Sequence, residues 1–355
     1  MRNREIFLSL IRLGLELNAD KIAFSFQVNW DEILALADAH GLSAIVLDGI
    51  ERLPAEMQPP KSELLQWIGM VLQGEEAYTM QWKSACKMSQ FFDKNHILTY
   101  ILKGFVVSEC YPVPAHRVSV DIDAFLVSQS GNFEACERGN QLMEQVGYKV
   151  DRSFYKNSTI YLHRATVENH RYMTPVRGSR RFKNLERMLQ GLILDDKGDD
   201  RFEGTSMTKP PVMVTALFLI EHAYAHFLHE GLTWRHVLDW MMFSRKHHRD
   251  INWYILDALI DEYGFRRFYD SYTRLGKYLF GEIAEEELTK ADNKMLADVW
   301  SNLDIHDFQG VKGKLALAGN SVRATWKYHY FSDISMLHDL FLRVVGFIFE
   351  RHPKI

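Results

Sequence analysis

The chain is poor in cysteine, with three among 355 residues: Cys86, Cys110 and Cys136. An odd, sparse set supplies no disulfide framework, and its spacing matches no metal knuckle, so buried free thiols are expected. There is little excess of either charge. Lysine and arginine number 42 against 46 acids, a net charge of -4. That balance gives no reason to expect a DNA- or RNA-binding protein, although a local basic patch is invisible in a total. Long apolar runs are lacking too. The most apolar stretch, Pro211 to Ile220, meets Glu221-His222 too soon to cross a bilayer. Near the start, Arg12 interrupts the run from Ile6 to Leu15 and no small-residue cleavage site follows. An amphipathic first helix is expected there rather than a leader, and a cytoplasmic protein without a membrane partner.

What is present is ordinary for a folded protein: 47% hydrophobic and 25% charged residues, in a chain long enough for more than one core. The apolar spacing predicts helices over residues 1–95, with Lys61 to Phe92 as one long helix or two short ones. The pattern changes at residue 96. Ile97 to Leu102 and Ser119 to Val127 read as strands, with a short helix from Phe105 to Cys110 between them. Glu134 to Val146 reads as a helix with Leu142, Met143 and Val146 toward the core. Tyr148 to Arg152, Ser158 to His163 and Thr166 to Met173 are further strands. This order predicts a small domain with a mixed sheet over 96–209, between an N-terminal helical region (1–95) and a C-terminal helical domain (210–355). In the latter, Pro210 to His229 forms a long helix. Thr233 is placed to cap the next, Trp234 to His247. No internal repeat or low-complexity tract is visible.

The most informative segment is Ser119-Val120-Asp121-Ile122-Asp123-Ala124-Phe125-Leu126-Val127. Strand side chains alternate, so Asp121 and Asp123 share one face. Paired carboxylates in an apolar strand are costly unless a cation offsets them, and their hard oxygens suit Mg²⁺ or Mn²⁺. Read blandly, both acids face solvent or meet Arg117. Nearby, Lys103-Gly104 closes a strand before a short helix, where glycine would let a phosphate approach the backbone and Lys103 would offer an ammonium. Arg117 could span a phosphate bidentately, or serve as the structural partner of Asp121 or Asp123. Downstream, Glu168 and His170 point the same way if Thr166 to Met173 is a strand beside the acidic one. Glu168 could then complete a three-carboxylate cluster, or simply pair with Arg164 or Arg171.

The run Leu102-Lys103-Gly104, Tyr111-Pro112, Arg117 and Asp121-Ile122-Asp123 resembles the uncharacterised nucleotidyltransferase family of the polymerase-beta superfamily. So does Leu219 to His226 followed by Gly231, Arg235 and Asp239-Trp240. The likeness covers roughly residues 95–245. It implies an α+β fold: a small mixed-sheet nucleotidyltransferase domain flanked by N-terminal helices and a C-terminal helical bundle. It also implies Asp121, Asp123 and Glu168 as catalytic metal ligands for Mg²⁺ or Mn²⁺. Lys103, Gly104, Arg117, His226, Arg235 and Asp239 would line the nucleotide or acceptor cleft. One departure stands out: the superfamily often has Gly-Ser or Gly-Gly where this chain has Gly104-Phe105, and Phe105 cannot bind phosphate.

On the histidine-containing helix, His222, His226 and His229 fall near one face. They could hold a transition metal with Glu221 or Asp239 assisting, touch substrate, or pack as satisfied core histidines. Arg235 and Asp239 sit at i,i+4 and could pair with each other. The expected activity is transfer of a nucleoside monophosphate from an NTP to an acceptor hydroxyl by a two-metal mechanism, with a small-molecule acceptor favoured over nucleic acid. The alternatives are a nucleotide-binding or protein-interaction module without catalysis, and a toxin–antitoxin component that modifies a protein side chain or an RNA end.

Overall fold

The computed structural model describes residues 2–17, 28–128, 131–301 and 325–349. Three helices open the chain: α1 (Arg2–Gly14), α2 (Trp30–Ala39) and α3 (Ser43–Glu51). Helices α1 and α3 cross at a glycine from each. A Cβ on Gly14 would lie 2.0 Å from the Ile45 carbonyl oxygen, and one on Gly49 would lie 2.1 Å from that of Leu10. Only residues without side chains allow this approach. Next comes α4 (Lys61–Asp93), one continuous helix of 33 residues. Its Gln81 side chain donates to the carbonyls of Ser119 and Val120, tying the helix to the segment that leads into the acidic strand.

The central unit alternates strand and helix: β1 (Leu98–Ile101), α5 (Phe105–Ser108), β2 (Ile122–Val127), α6 (Asn132–Gln145), β3 (Lys149–Asp151), β4 (Asn157–Tyr161), β5 (Thr166–His170), α7 (Arg180–Leu194) and β6 (Met207–Thr208). The sheet order is β3-β4-β5-β2-β1-β6. Strand β2 runs antiparallel to β1 and parallel to β5, so the sheet is mixed as expected. Every residue of β2 is buried, which its apolar, β-branched composition allows. Two details differ from the sequence reading. Strand β2 begins at Ile122, leaving Asp121 in the approach to it. Val146, expected in the core, ends its helix 52% exposed, whereas Met143 is buried. The two-residue β6 was too short to leave a periodic signal.

Helices α8 (Val212–His229), α9 (Trp234–Lys246), α10 (Trp253–Glu262), α11 (Arg266–Phe280), α12 (Lys290–Ser301), α13 (Thr325–Phe331) and α14 (Met336–Phe349) complete the described chain. Helix α8 extends well past the apolar run that seemed too short to span a bilayer. By length and composition its 18 residues could do so, but 67% of them are buried in the fold, as the central helix of a bundle requires. The architecture is that of a polymerase-beta-like nucleotidyltransferase: N-terminal helices, a central mixed sheet and a C-terminal helical bundle.

Candidate functional site

Parallel pairing of β2 with β5 sets Asp123 directly opposite Glu168. The two carboxylates and the His170 imidazole, two residues further along β5, bring one metal-ligating atom each within 4.8 Å of one another. His170 was given no role by the sequence. Its Nε2 lies 3.0 Å from Asp123 Oδ1 and 3.4 Å from Glu168 Oε2, while Nδ1 meets the Tyr172 carbonyl at 3.2 Å. All three partners accept hydrogen bonds, so the ring is arranged as a doubly protonated cation. Burial alone would lower its pKa, but the bonds to Asp123 and Glu168 outweigh that and raise it.

Asp123 is almost wholly buried. Burial works against its charge, but the Lys103 ammonium, 3.5 Å from Oδ2, and then His170 hold its pKa down at about 2. Oδ2 is buried with only the Lys103 ammonium beside it, so a cation would have to displace Lys103 to reach this hard oxygen. Glu168 is only half-buried. It takes a 2.6 Å hydrogen bond from Asn157 of the neighbouring strand β4, and its pKa is lowered, chiefly by His170 working against burial. Asp121 lines the same cleft, and its pKa is raised by burial and then by the charge of Asp123. It is not among the three groups that meet within 4.8 Å. Arg164 and Arg171 do not engage Glu168. Arg171 instead reaches Glu137.

The cleft has a volume of about 380 Å³. Asp121, Glu168 and Lys103 stand on one side. His222, His226, Arg235, His236 and Asp239 line the other. Lys103 joins the two sides, since its Nζ also lies 3.1 Å from His222 Nε2. Gly104 has φ +62°, the left-handed region that favours glycine, and it opens α5. Phe105 turns away from the cleft and packs edge-to-face on Tyr78 and Trp82, which explains the departure from Gly-Ser: the side chain anchors α5 to α4. A serine hydroxyl does come near this turn. Ser119 Oγ would lie 3.3 Å from a Cβ on Gly104, and Ser119 lines the cleft.

Two pairings differ from the bland expectations. Arg117 meets neither Asp121 nor Asp123; it forms a buried two-point pair with Asp239, at 2.6 and 3.1 Å. Tyr111 donates to the same carboxylate at 2.8 Å. Asp239 is thus taken by Arg117 rather than by Arg235, which donates to the Val118 carbonyl. A phosphate clamp by Arg117 would require it to leave Asp239. The histidine set differs as well. His229 lies away from the cleft beside Arg343, and His236 of α9 takes its place next to His222 and His226. These three rings form a second group whose ligating atoms lie within 4.8 Å of one another. Contact between residues on successive helices carries no periodic signature, although Thr233 as a helix cap fixes where His236 must stand.

No curated protein and no solved structure matches this chain. A family model described as an uncharacterised nucleotidyltransferase matches residues 27–281, which takes in the acidic strand, the cleft and helices α8 to α11. With that match spanning most of its length, the chain belongs to the family of uncharacterised nucleotidyltransferases.

Proposed function

We propose that the chain transfers a nucleoside monophosphate from an NTP to an acceptor hydroxyl and releases pyrophosphate, with Asp121, Asp123 and Glu168 as its acidic set. The observation that supports this reading most is the β2–β5 register, which sets Asp123 beside Glu168 at a cleft lined by Asp121 and Lys103. The hard oxygens of Asp121, Asp123 and Glu168 suit Mg²⁺ or Mn²⁺, with Lys103 moving off Asp123 Oδ2 to make room. Two such ions would activate the acceptor hydroxyl and neutralise charge on the transferred phosphate. Asp123 stays ionised at neutral pH. Glu168, steadied by Asn157 and His170, is the group placed to accept the acceptor proton. Lys103 offers an ammonium to the triphosphate from the wall between the acids and the histidines. A cleft of about 380 Å³ lies within the range of small-molecule sites, which favours a small hydroxylated acceptor.

The test is NTP consumption with Mg²⁺ or Mn²⁺ across hydroxylated acceptors, with Asp123→Asn in parallel. The variant is expected to lose about 100-fold or more of the activity. Activity unchanged by that substitution overturns the assignment. A second reading, nucleotide binding without transfer, draws on one observation: His170 and Lys103 already balance Asp123 without any added ion. It predicts titratable binding of a non-hydrolysable ATP analogue with no metal-dependent turnover on any acceptor.

A further inference from the structure

We propose that His222, His226 and His236 form a transition-metal site of the zinc class, separate from the carboxylates and with its fourth position open to the cleft. Two of these rings stand at i,i+4 on α8, one turn apart on one face, and the third comes from the first turn of α9. Ring centroids are 4.4 Å apart for His222–His226, 5.0 Å for His226–His236 and 6.1 Å for His222–His236. Tetrahedral zinc at about 2.0–2.1 Å from each nitrogen would bring the three nitrogens to roughly 3.3 Å from one another. Their present spread is within 4.8 Å, about 1.5 Å wider than that at most.

The contacts behind the rings suit a metal. Glu230 holds His226 Nδ1 at 2.7 Å, leaving Nε2 for a ligand bond. The Thr233 hydroxyl lies 2.9 Å from His236 Nδ1. Outer partners of this kind orient metal-bound histidines and raise their basicity. The Thr233 N–H donates to that Nδ1 at 3.2 Å, so a metal on Nε2 requires the other tautomer, which gives up this bond and donates to the Thr233 hydroxyl. Two cations oppose a metal here: Arg235, on the same wall, and the Lys103 ammonium, 3.1 Å from His222 Nε2. Lys103 has a retreat, because Asp123 Oδ2 stands 3.5 Å away on its other side. Three imidazoles with an open fourth position match a reactive zinc site rather than a closed structural one. The hard acid cluster and the soft histidine cluster thus face each other across one cleft, with Lys103 between them.

The test uses tag-free full-length protein, stripped with a chelator, loaded with Zn²⁺ and passed into metal-free buffer. Zinc is then measured by mass spectrometry, and Co²⁺-loaded protein is examined for the visible bands of a tetrahedral nitrogen site. Wild type and Glu168→Gln are expected to hold about one zinc per chain. His226→Ala and His236→Ala are expected to lose it, and His229→Ala to keep it. Glu230→Gln should weaken binding by about tenfold or more. Circular dichroism confirms that each variant is folded. Wild-type protein that retains no zinc, or folded His226→Ala and His236→Ala proteins that retain it fully, would overturn the proposal. The Glu168→Gln arm keeps this outcome independent of nucleotidyl transfer.

Discussion

Arg117, Asp239 and Tyr111 form a charged knot beneath the cleft, all of it buried. Burial opposes the Arg117 charge, yet Asp239 raises its pKa, while burial and then Asp239 push the Tyr111 hydroxyl well up. Removing one partner strands the other. Asp239→Ala should therefore destabilise the protein by about 3–5 kcal/mol, and an Arg117→Met, Asp239→Leu double variant by much less. Urea denaturation of the two singles and the double checks this, and additive losses would rule it out. His40 makes a separate prediction. It is buried against Phe7 and Trp300, its Nε2 has no partner, and burial and then the charge of Arg4 bring its pKa down to about 3. The unfolded chain binds this proton near pH 6.5 and the folded chain only near 3. The stability due to His40 is thus intact above 6.5 and lost as pH falls through that window, by about 1.4 kcal/mol per pH unit. His40→Asn should remove that part of the acid sensitivity, leaving a flatter plot of denaturation midpoint between pH 7 and 4 than wild type. At this scale the sequence was informative about Asp123 and Glu168, because strand alternation is local. It was silent on His170, whose importance depends on a register between distant strands. It did not find the Arg117–Asp239 pair, because Arg117 lies on a loop with no periodic relation to α9.

The crossing of α1 and α3 depends on two atoms that are absent. With Gly49 against the Leu10 carbonyl and Gly14 against that of Ile45, a methyl group on either has nowhere to go, since what it meets is backbone. Gly49→Ala is expected to cost about 3 kcal/mol, the upper end for overpacking, despite alanine's better helix propensity. Thermal denaturation measures this, and a gain in midpoint would refute the close-contact account. Most elements were legible because their periodicity is strong: α4, α8 and α9 came out within a few residues of the expected bounds. The limits of that legibility are physical. Strand β2 starts later than its apolar pattern suggests because Ser119 and Val120 give their carbonyls to Gln81 of α4, not to a neighbouring strand.

For the whole molecule, the cleft lies between the central strands of the sheet and a helical bundle, which share no local sequence. Helix α8 supplies one wall through His222 and His226, while Lys103, at the end of β1, reaches across to it. A ligand that bridges the two walls favours the native state over the unfolded chain. If Mg²⁺ and a non-hydrolysable ATP analogue bind as proposed, saturation to about 100 times the dissociation constant should add roughly 2.7 kcal/mol to stability. Asp123→Asn should blunt that gain. A denaturation midpoint indifferent to the pair in wild-type protein would count against the proposed ligand.

The parallel pairing of β2 with β5 also has a kinetic consequence. Contacts between distant segments form slowly, because a long loop must close before they return any energy. Asp123 finds Glu168 and His170 only once β5 has slotted between β2 and β4. A nascent or half-collapsed chain carries the acids but not their constellation. Reactivity is therefore withheld from every intermediate that lacks the finished sheet, and a ligand gripping those side chains would act as a latch on the closing step of folding.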